Sequence, residues 1–430
     1  MSFTVLIIGA GGREHALAVK VAASPRVTRV LCAPGNAGTA DLGENLAIEA
    51  TDSAALLTAA RQNAVDLTIV GPEVPLCAGI VDRFEGARLR IFGPSAAAAR
   101  IEGDKAYAKR LMKRCNVPTG EARIFDNFQN AKTYIATRDL PQVVKAAGLA
   151  AGKGVFVCDD PADALLAAER LMEEGICGDA GRRIVVEEKL EGPELSVIAL
   201  VDGRTIYVLE SAQDYKRLGD GDTGPNTGGM GALSPPPTAT ADVLATIERE
   251  ILVPIVDGLR SEGAPFRGAL YAGVMLTAGG PKVLEFNCRF GDPETQAILP
   301  RLRSDFVEAI EAAIDGRLDQ IELAWDPRPA VTVVMASAGY PGKYEIGRII
   351  SGLNAAALPD IHVFHAGSKR IGDQVFTDGG RVLAITGLGA TLAEARARAY
   401  QGVRTISFEG AQYRTDIADW AVRTPRASGG

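Results

Sequence analysis

The chain reads as a multidomain protein of mixed α/β and α+β class, and three observations carry that reading. Strand and helix patterns alternate regularly over roughly the first hundred residues, which implies a parallel sheet covered by helices. Past Glu102 the rhythm changes to short strands grouped around helices and glycine-rich loops. The C-terminal quarter is strand-rich and closes on one long helix. At 430 residues the chain exceeds what a single core comfortably organises.

Taken in order, residues 5–8 form an apolar strand, 13–23 a helix, 27–33 a strand and 53–63 a helix. Residues 66–70 form a strand, 77–85 a helix and 90–93 a short strand. Ligands of such a sheet sit at the carboxyl ends of its strands, where Gly9-Ala10-Gly11-Gly12, Ala33-Pro34-Gly35-Asn36 and Gly71-Pro72-Glu73 fall. A helix over 104–114, a strand after Pro118, a helix over 128–137 and a strand over 142–146 come next. A glycine loop, 148–154, joins that strand to another at 155–158, and helix 161–174 with strand 183–188 completes a compact α+β unit.

Strands 195–201 and 205–210 flank Asp202-Gly203, a hairpin signal. The Gly/Asp/Pro-rich stretch 219–237 is too long for structureless filler, so it is expected to be a ligand loop. A long helix over 241–262 leads to strands 269–276 and 282–290. A separate strand-rich module is expected from strands 330–336, 361–365 and 381–388 with helix 392–405, and the tail from 424 is expected to fray.

Composition narrows the function. Apolar content of 47% is ordinary for a well-packed soluble enzyme. The formal charge of −7 is spread without a basic block, which argues against nucleic acid and anionic membrane as partners. Six cysteines without a C-x-x-C pair give neither a zinc site nor a disulfide framework and fit a reducing compartment. Three histidines make a His-based triad or metal site a poor expectation. No signal sequence opens the chain and no apolar run reaches membrane-spanning length, so the expected location is cytoplasmic.

The most informative stretch is Leu284-Glu-Phe-Asn-Cys-Arg-Phe-Gly-Asp-Pro-Glu-Thr-Gln296. On an extended strand Glu285, Asn287 and Arg289 project to one face, with Leu284, Phe286, Cys288 and Phe290 on the other. A carboxylate, an amide oxygen and a guanidinium side by side suit Mg²⁺ carrying nucleotide phosphates. A merely solvated edge would not need the turn-forming run that follows at 291–295.

Other motifs are weaker singly. The N-terminal G-A-G-G-R-E-H fails the dinucleotide fingerprint, because Glu14 stands where the third glycine belongs. Its backbone N–H groups at a helix start, beside Arg13, suit a single phosphate; the plain alternative is a tight turn. Gly148-Leu-Ala-Ala-Gly-Lys-Gly154 narrowly misses the Walker A spacing and joins two strands, so it suits a flap over phosphates. Lys145, within an apolar strand, is costly to bury without an anionic partner. Glu187, the Leu190 backbone and Glu194 could receive a nucleoside. Asp214, Lys216 and the run Asn226-Thr-Gly-Gly-Met-Gly231 give a charged loop and close backbone approach.

In this order the segments resemble the ATP-grasp superfamily, and within it the phosphoribosylamine–glycine ligase family of purine biosynthesis. The resemblance spans nearly the whole chain and is most specific at D-T-G-P-N-T-G-G-M-G-A (222–232) and E-F-N-C-R-F-G-D-P-E-T-Q (285–296). It implies an ATP-grasp fold with an N-terminal Rossmann-like substrate domain (1–102) and a C-terminal α+β module (328–425). Between them lies the ATP-grasp domain (103–327, with 121–192 as its lid), and a short tail (426–430) ends the chain.

The resemblance also implies a reaction in which ATP phosphorylates glycine and the amine of 5-phosphoribosylamine displaces phosphate. Carried over by match, Glu285 and Asn287 hold Mg²⁺ (or Mn²⁺), and Lys105 and Lys145 meet the ATP phosphates. Gly152, Lys153 and Gly154 close the loop, while Glu187, Leu190 and Glu194 grip the nucleoside. Arg289, Asp214 and Lys216 are the implied catalytic set. Gly11, Gly12, Arg13, Asn36, Gly38 and Glu73 line the phosphoribosylamine pocket, and Thr227 and Gly228 also bind substrate. A monomer or weak homodimer is expected.

The sequence departs from the family at Ala147, usually Asp, and at Tyr215, commonly His; both bear on loop closure and glycine affinity. Another ATP-grasp carboxylate–amine ligase or purine-pathway carboxylase is the nearest rival, which the 222–231 loop disfavours. An inactive nucleotide-binding regulator would have lost a metal ligand or phosphate lysine. An NAD-dependent oxidoreductase is disfavoured by Glu14.

Overall fold

The computed structural model describes residues 3–150, 154–356 and 358–423. The predicted parallel sheet is present. Thr4–Gly9 is its centre, with Arg29–Pro34 and then Glu44–Asn45 on one side and Leu67–Val70 and then Ile91–Phe92 on the other. Every strand is parallel and the central one is buried throughout, as the apolar run over 5–8 requires. The carboxyl ends of Thr4–Gly9, Arg29–Pro34 and Leu67–Val70 all point at the glycine loops.

One expected helix divides. Residues 77–85 are not continuous; helices Glu73–Cys77 and Ile80–Gly86 meet at Gly79, whose φ of +82° lies in the left-handed region. The first of these begins at Glu73, which therefore points from a helix start.

The compact α+β unit forms a four-stranded antiparallel sheet in the order Ala122–Phe125, Ile184–Glu188, Gln142–Ala146, Val155–Cys158. Helices Phe128–Ala136 and Pro161–Met172 cover one face and share its apolar core. Below it, a second antiparallel sheet runs Ile206–Val208, Glu194–Asp202, Arg267–Thr277, Gly280–Asn287. Its buried side chains join those of the N-terminal sheet in common hydrophobic clusters.

Two expectations are corrected in the middle of the chain. The stretch 219–237 is not one loop. Arg217–Gly219 and Thr223–Asn226 form a hairpin turning through Gly221 and Asp222, both at positive φ, and Gly231–Ser234 is a strand. The helix over 241–262 carries a π-turn at Glu248–Leu252 between Ala241–Ile247 and Val253–Ser261. Pro254 explains it: a proline ring collides with the carbonyl four residues back in a regular helix, and a widened turn removes the collision.

The C-terminal sheet is not built from its own segment alone. Its order is Gln213–Asp214, Gly231–Ser234, Ala330–Ala336, Arg381–Leu388, Ile361–His365, so the first two strands come from the middle of the chain. Helix Leu392–Thr405 packs on it.

The strand carrying the most informative motif is also more irregular than simple alternation predicts. It ends at Asn287, leaving Arg289 beyond the paired region. Glu285 pairs with Gly273, but the next pair is Val283 with Val274, so Leu284 is an extra, bulged residue. The bulge turns Leu284 toward the cleft on the Glu285 side, against the face expected for it.

Candidate functional site

The upper and lower antiparallel sheets, the N-terminal sheet and the C-terminal sheet converge on one cleft with two lobes of about 410 and 470 Å³. The lobes share Lys145, Glu187, Asp214, Lys216 and Glu285. Thr227 lines both lobes as well, and the inner lobe gathers most of the other residues picked from the sequence: Arg13, Glu73, Lys105, Gly154, Gly228, Asn287 and Arg289. Leu190 and Glu194 line the outer lobe. Gly152 and Lys153 lie outside the described residues.

Four predicted residues do not line the cleft, and each has a packing reason. The Gly11 N–H donates to Glu14 Oε2 at 2.6 Å, so the helix start expected to receive a phosphate holds the protein's own carboxylate. A Cβ on Gly12 would stand 2.5 Å from Gln296 Nε2, and one on Gly38 2.2 Å from the His15 ring. Asn36 is buried; its amide donates to the carbonyls of Ala10 and His365, and its oxygen accepts from Gly38 and Thr39 N–H. Arg13 does face the inner lobe, while its Nε donates to Glu14 and its Nη1 to the Phe290 carbonyl.

The anionic partner that Lys145 required is Glu187. Lys145 Nζ donates to Glu187 Oε2 at 3.1 Å across paired strands, and to the carbonyl of the bulged Leu284 at 3.2 Å. A second buried lysine, Lys109, reaches the same Oε2 at 2.9 Å and the Thr119 hydroxyl at 2.7 Å. Sequence reasoning missed Lys109. Its helix, Lys105–Arg114, is rich in basic residues, and nothing local distinguishes the one that turns inward. Lys105 opens that helix, after the Asp104 N-cap, and its Nζ donates to the Gly148 carbonyl at 3.3 Å.

Glu285 sits among cations. Burial pushes its carboxyl up, but Lys216, Lys145, Lys105 and Arg289 together outweigh that and leave it below the ordinary carboxylate range. Its neighbour Asp214 goes the other way. Burial raises it well above the ordinary range, Lys216 opposes, and Glu294, Glu194 and Glu285 push it further up. Lys216 is raised despite burial, because Glu194, at 2.6 Å, and Asp214 favour its charged form. Burial and neighbouring charge thus move the two carboxyls in opposite directions.

Arg289 bridges two elements. Its Nη2 pairs with Glu102 at 2.9 Å and its Nε with Glu73 at 3.2 Å, while Nη2 approaches Asn287 Oδ1 at 3.4 Å. Glu102, at the end of helix Ala96–Gly103, also accepts the Cys288 N–H at 2.7 Å. Burial raises its carboxyl, and the Arg289 charge opposes. It too escaped the sequence reading, since a lone Glu in a helix end carries no signal.

The C-terminal sheet supplies two more walls. The Tyr340 hydroxyl accepts the Gly228 N–H at 2.8 Å, and Arg381 donates to the carbonyls of Gly228 and Asp292. The departures from the family pattern are accounted for locally. Ala147 packs with Ala106 and Val185, away from the cleft lining. The Tyr215 hydroxyl accepts the Ala418 N–H at 2.8 Å, with the Arg414 guanidinium 5.0 Å from its ring centre, so its ring anchors the C-terminal segment.

Comparison with known proteins shows the family. Three domain models of phosphoribosylglycinamide synthetase match in order: the N domain over residues 3–102, the ATP-grasp (A) domain over 103–295 and the C domain over 330–420. Phosphoribosylamine–glycine ligase of Allochromatium vinosum is 52% identical over 98% of this chain and 100% of its own length. The chain belongs to this family. The Vibrio cholerae member is 50% identical over 98% of the chain and 99% of its own length. The crystal structure of the Thermotoga maritima ligase superposes with a TM-score of 0.84 at 35% identity, over 96% of this chain and all of that one. A biotin carboxylase domain from Hydrogenobacter thermophilus, at 16% identity and a TM-score of 0.74, covers 95% and 91% and shows the shared ATP-grasp fold alone.

Proposed function

We propose that this chain is an ATP-dependent ligase that joins glycine to 5-phosphoribosylamine in purine biosynthesis, giving glycinamide ribonucleotide, ADP and phosphate. The observation that carries the reading is the shared cleft. Lysines and acids suited to a nucleotide triphosphate open directly onto Arg13 and Glu73, which the N-terminal sheet presents from the opposite side. Family membership over nearly the full length supports it.

In this reading Lys105 and Lys145 neutralise the ATP phosphates, and Glu187, Leu190 and Glu194 bind the nucleoside. Glu187 Oε1 is buried and has no hydrogen-bond partner among the described residues, which suits a donor on the base. Gly154 lines the inner lobe. Glu285 and Asn287 would offer oxygen ligands to a divalent ion, Mg²⁺ or Mn²⁺. Among the described residues no group of three His, Cys, Asp or Glu side chains could hold a metal ion. When bound, the ion offsets charge on the transferred phosphoryl group.

The glycine carboxylate takes the γ-phosphoryl group beside Arg289 and Lys216. The phosphoribosylamine nitrogen then attacks the acyl carbon, the C–O bond to phosphate breaks, and phosphate leaves. Asp214, held well above the usual carboxylate range by burial and neighbouring acids, is placed to exchange the amine's proton. Arg13, Glu73, Thr227 and Gly228 hold the phosphoribosylamine end, with Gly11, Gly12, Asn36 and Gly38 shaping the wall behind them. Catalysis is mainly positioning and charge neutralisation. The reaction is assigned to the cytoplasm and to a monomer or weak homodimer; among the described residues no helix is long and apolar enough to cross a membrane.

ADP release is the test. It is expected with glycine and 5-phosphoribosylamine together and not with either alone. Release that does not depend on glycine refutes the assignment.

A further inference from the structure

The bulkiest fully buried side chains among the described residues include one charged group, Arg414. Its side chain is 1% exposed. Nε and Nη2 donate to the two oxygens of Asp416, each at 2.7 Å. Nη1 donates to Asp222 Oδ1 at 2.6 Å and to the Arg217 carbonyl at 3.2 Å. The guanidinium also lies 5.0 Å from the centre of the Tyr215 ring. Tyr215 and Arg217 flank Lys216, which lines both lobes of the cleft, whereas Arg414 itself lines neither.

The rest of the C-terminal segment grips the same hairpin. The Gly221 N–H donates to Asp416 Oδ2 and the Thr415 N–H to Asp220 Oδ1, both at 2.8 Å. The Thr415 hydroxyl donates to the other oxygen of Asp220. The hairpin has little else to fix it. None of residues 217–226 is buried, and its pairing shifts register between Arg217 and Gly219. An isolated two-stranded hairpin is at best marginally stable in water. Yet its base carries cleft residues: the Thr227 N–H and hydroxyl both donate to the Lys216 carbonyl at 2.8 Å, and Thr227 lines both lobes too.

We propose that Arg414 is a positioning residue of the ligase: from its buried place it clamps hairpin 217–226 and so holds Lys216 and Thr227 in the cleft. The inference rests on the ligase reading for the work of Lys216 and extends it to a residue outside the cleft lining. Burying a guanidinium is costly unless its donors are used. An apolar side chain would fill the same volume, but it could not bind the hairpin tip at Asp222, the base at the Arg217 carbonyl and Asp416 at once. Only a planar fork with several donors does that. A loosened Lys216 costs rate rather than nucleoside affinity, because the nucleoside is held at Glu187 and Leu190 on the lid.

The experiment compares full-length Arg414→Lys and Asp222→Asn with wild type by backbone amide hydrogen exchange and steady-state kinetics. Arg414→Lys keeps the charge and loses the fork. Asp222 has a side chain 70% exposed and a φ of +54°, which asparagine adopts readily, so Asp222→Asn leaves the fold intact and decides alone if Arg414→Lys does not fold. Faster exchange is expected over residues 214–230 in both, with wild-type exchange in strands 361–365 and 381–388. The kcat should fall about tenfold in Arg414→Lys and less steeply in Asp222→Asn, with the KM for ATP within about twofold of wild type. Wild-type exchange over 214–230 overturns the proposal, and so does faster exchange there with an unchanged kcat. Exchange that quickens equally across the C-terminal module marks a merely structural residue and overturns it too. A raised KM for ATP at unchanged kcat does the same, since it would place Asp222 on the nucleotide. The exchange arm reads the clamp even if no ligation is seen, which keeps failure of this inference distinct from failure of the ligase assignment.

Discussion

The ammonium of Lys109 lies 2.9 Å from the Glu187 carboxylate, both almost wholly buried, with Lys145 on the same oxygen from the other side. A buried carboxylate with two cations on one oxygen is fixed in orientation, and its second oxygen is left over for a ligand. Removing one partner of a buried pair leaves a charge uncompensated and costs about 3–5 kcal/mol; the remaining Lys145 puts the expectation for Lys109→Met near the lower end. Thermal unfolding should report that loss, and the KM for ATP should rise at least about tenfold, since 1.4 kcal/mol is a factor of ten. Wild-type values for both would show that the pair has no role.

Arg289 should not tolerate lysine. A guanidinium can face Glu73 and Glu102 through different nitrogens at once, whereas an ammonium is a point charge that cannot span both. Arg289→Lys is expected to lower kcat about 10²-fold, the scale for losing one oriented donor at a charged transition state. A steady-state rate within a factor of a few of wild type would remove Arg289 from the chemistry.

Glu285→Gln keeps the shape of the side chain and removes the anion. It should abolish turnover at ordinary Mg²⁺ while circular dichroism and melting stay close to wild type, because the cations around it, Lys216, Lys145, Lys105 and Arg289, line the cleft and act on its charge through space. A Mg²⁺ titration distinguishes a metal role, in which excess ion recovers part of the rate, from a structural one. Chelation of divalent ions in the wild type is expected to stop turnover too.

The three histidines make stability fall in mild acid. Burial, the largest cause for each, holds His15 down to about 3 and His365 to about 4, and lowers His362 as well, against an ordinary 6.5. Below pH 6.5 the unfolded chain takes up protons that the folded rings refuse, so stability is lost as pH falls toward the folded values. Each histidine removes up to about 1.4 kcal/mol per pH unit. Urea midpoints should decline between pH 6.5 and 5, a window above the titration of ordinary carboxylates. His15→Gln should flatten that slope, and an unchanged slope would contradict the neutral, buried ring.

Much of the architecture is legible along the chain. The alternation over the first hundred residues specified the parallel sheet, and the four strands and two helices of the compact α+β unit fall where apolar periodicity and turn residues put them. Lys145 advertised its missing partner because a lone lysine in an apolar strand is physically anomalous. Lys109, Glu102, Tyr340 and Arg381 gave no such signal. Each is an ordinary polar residue whose role depends on what another element sets against it.

What the sequence by itself determined is the set of elements, their class and the family, since strand period, helix period, turn chemistry and extended motifs are written in consecutive residues. Only the tertiary structure decided which side chains meet. A bulge against Gly273 and Val274 turned Leu284 into the cleft, Glu14 occupied the helix start that seemed free for a phosphate, and the C-terminal sheet took two strands from the middle of the chain. Partners such as Arg13 and Phe290 or Gly228 and Tyr340 are far apart in sequence, and their pairing is fixed by how sheets stack and where buried charge finds its counter-charge.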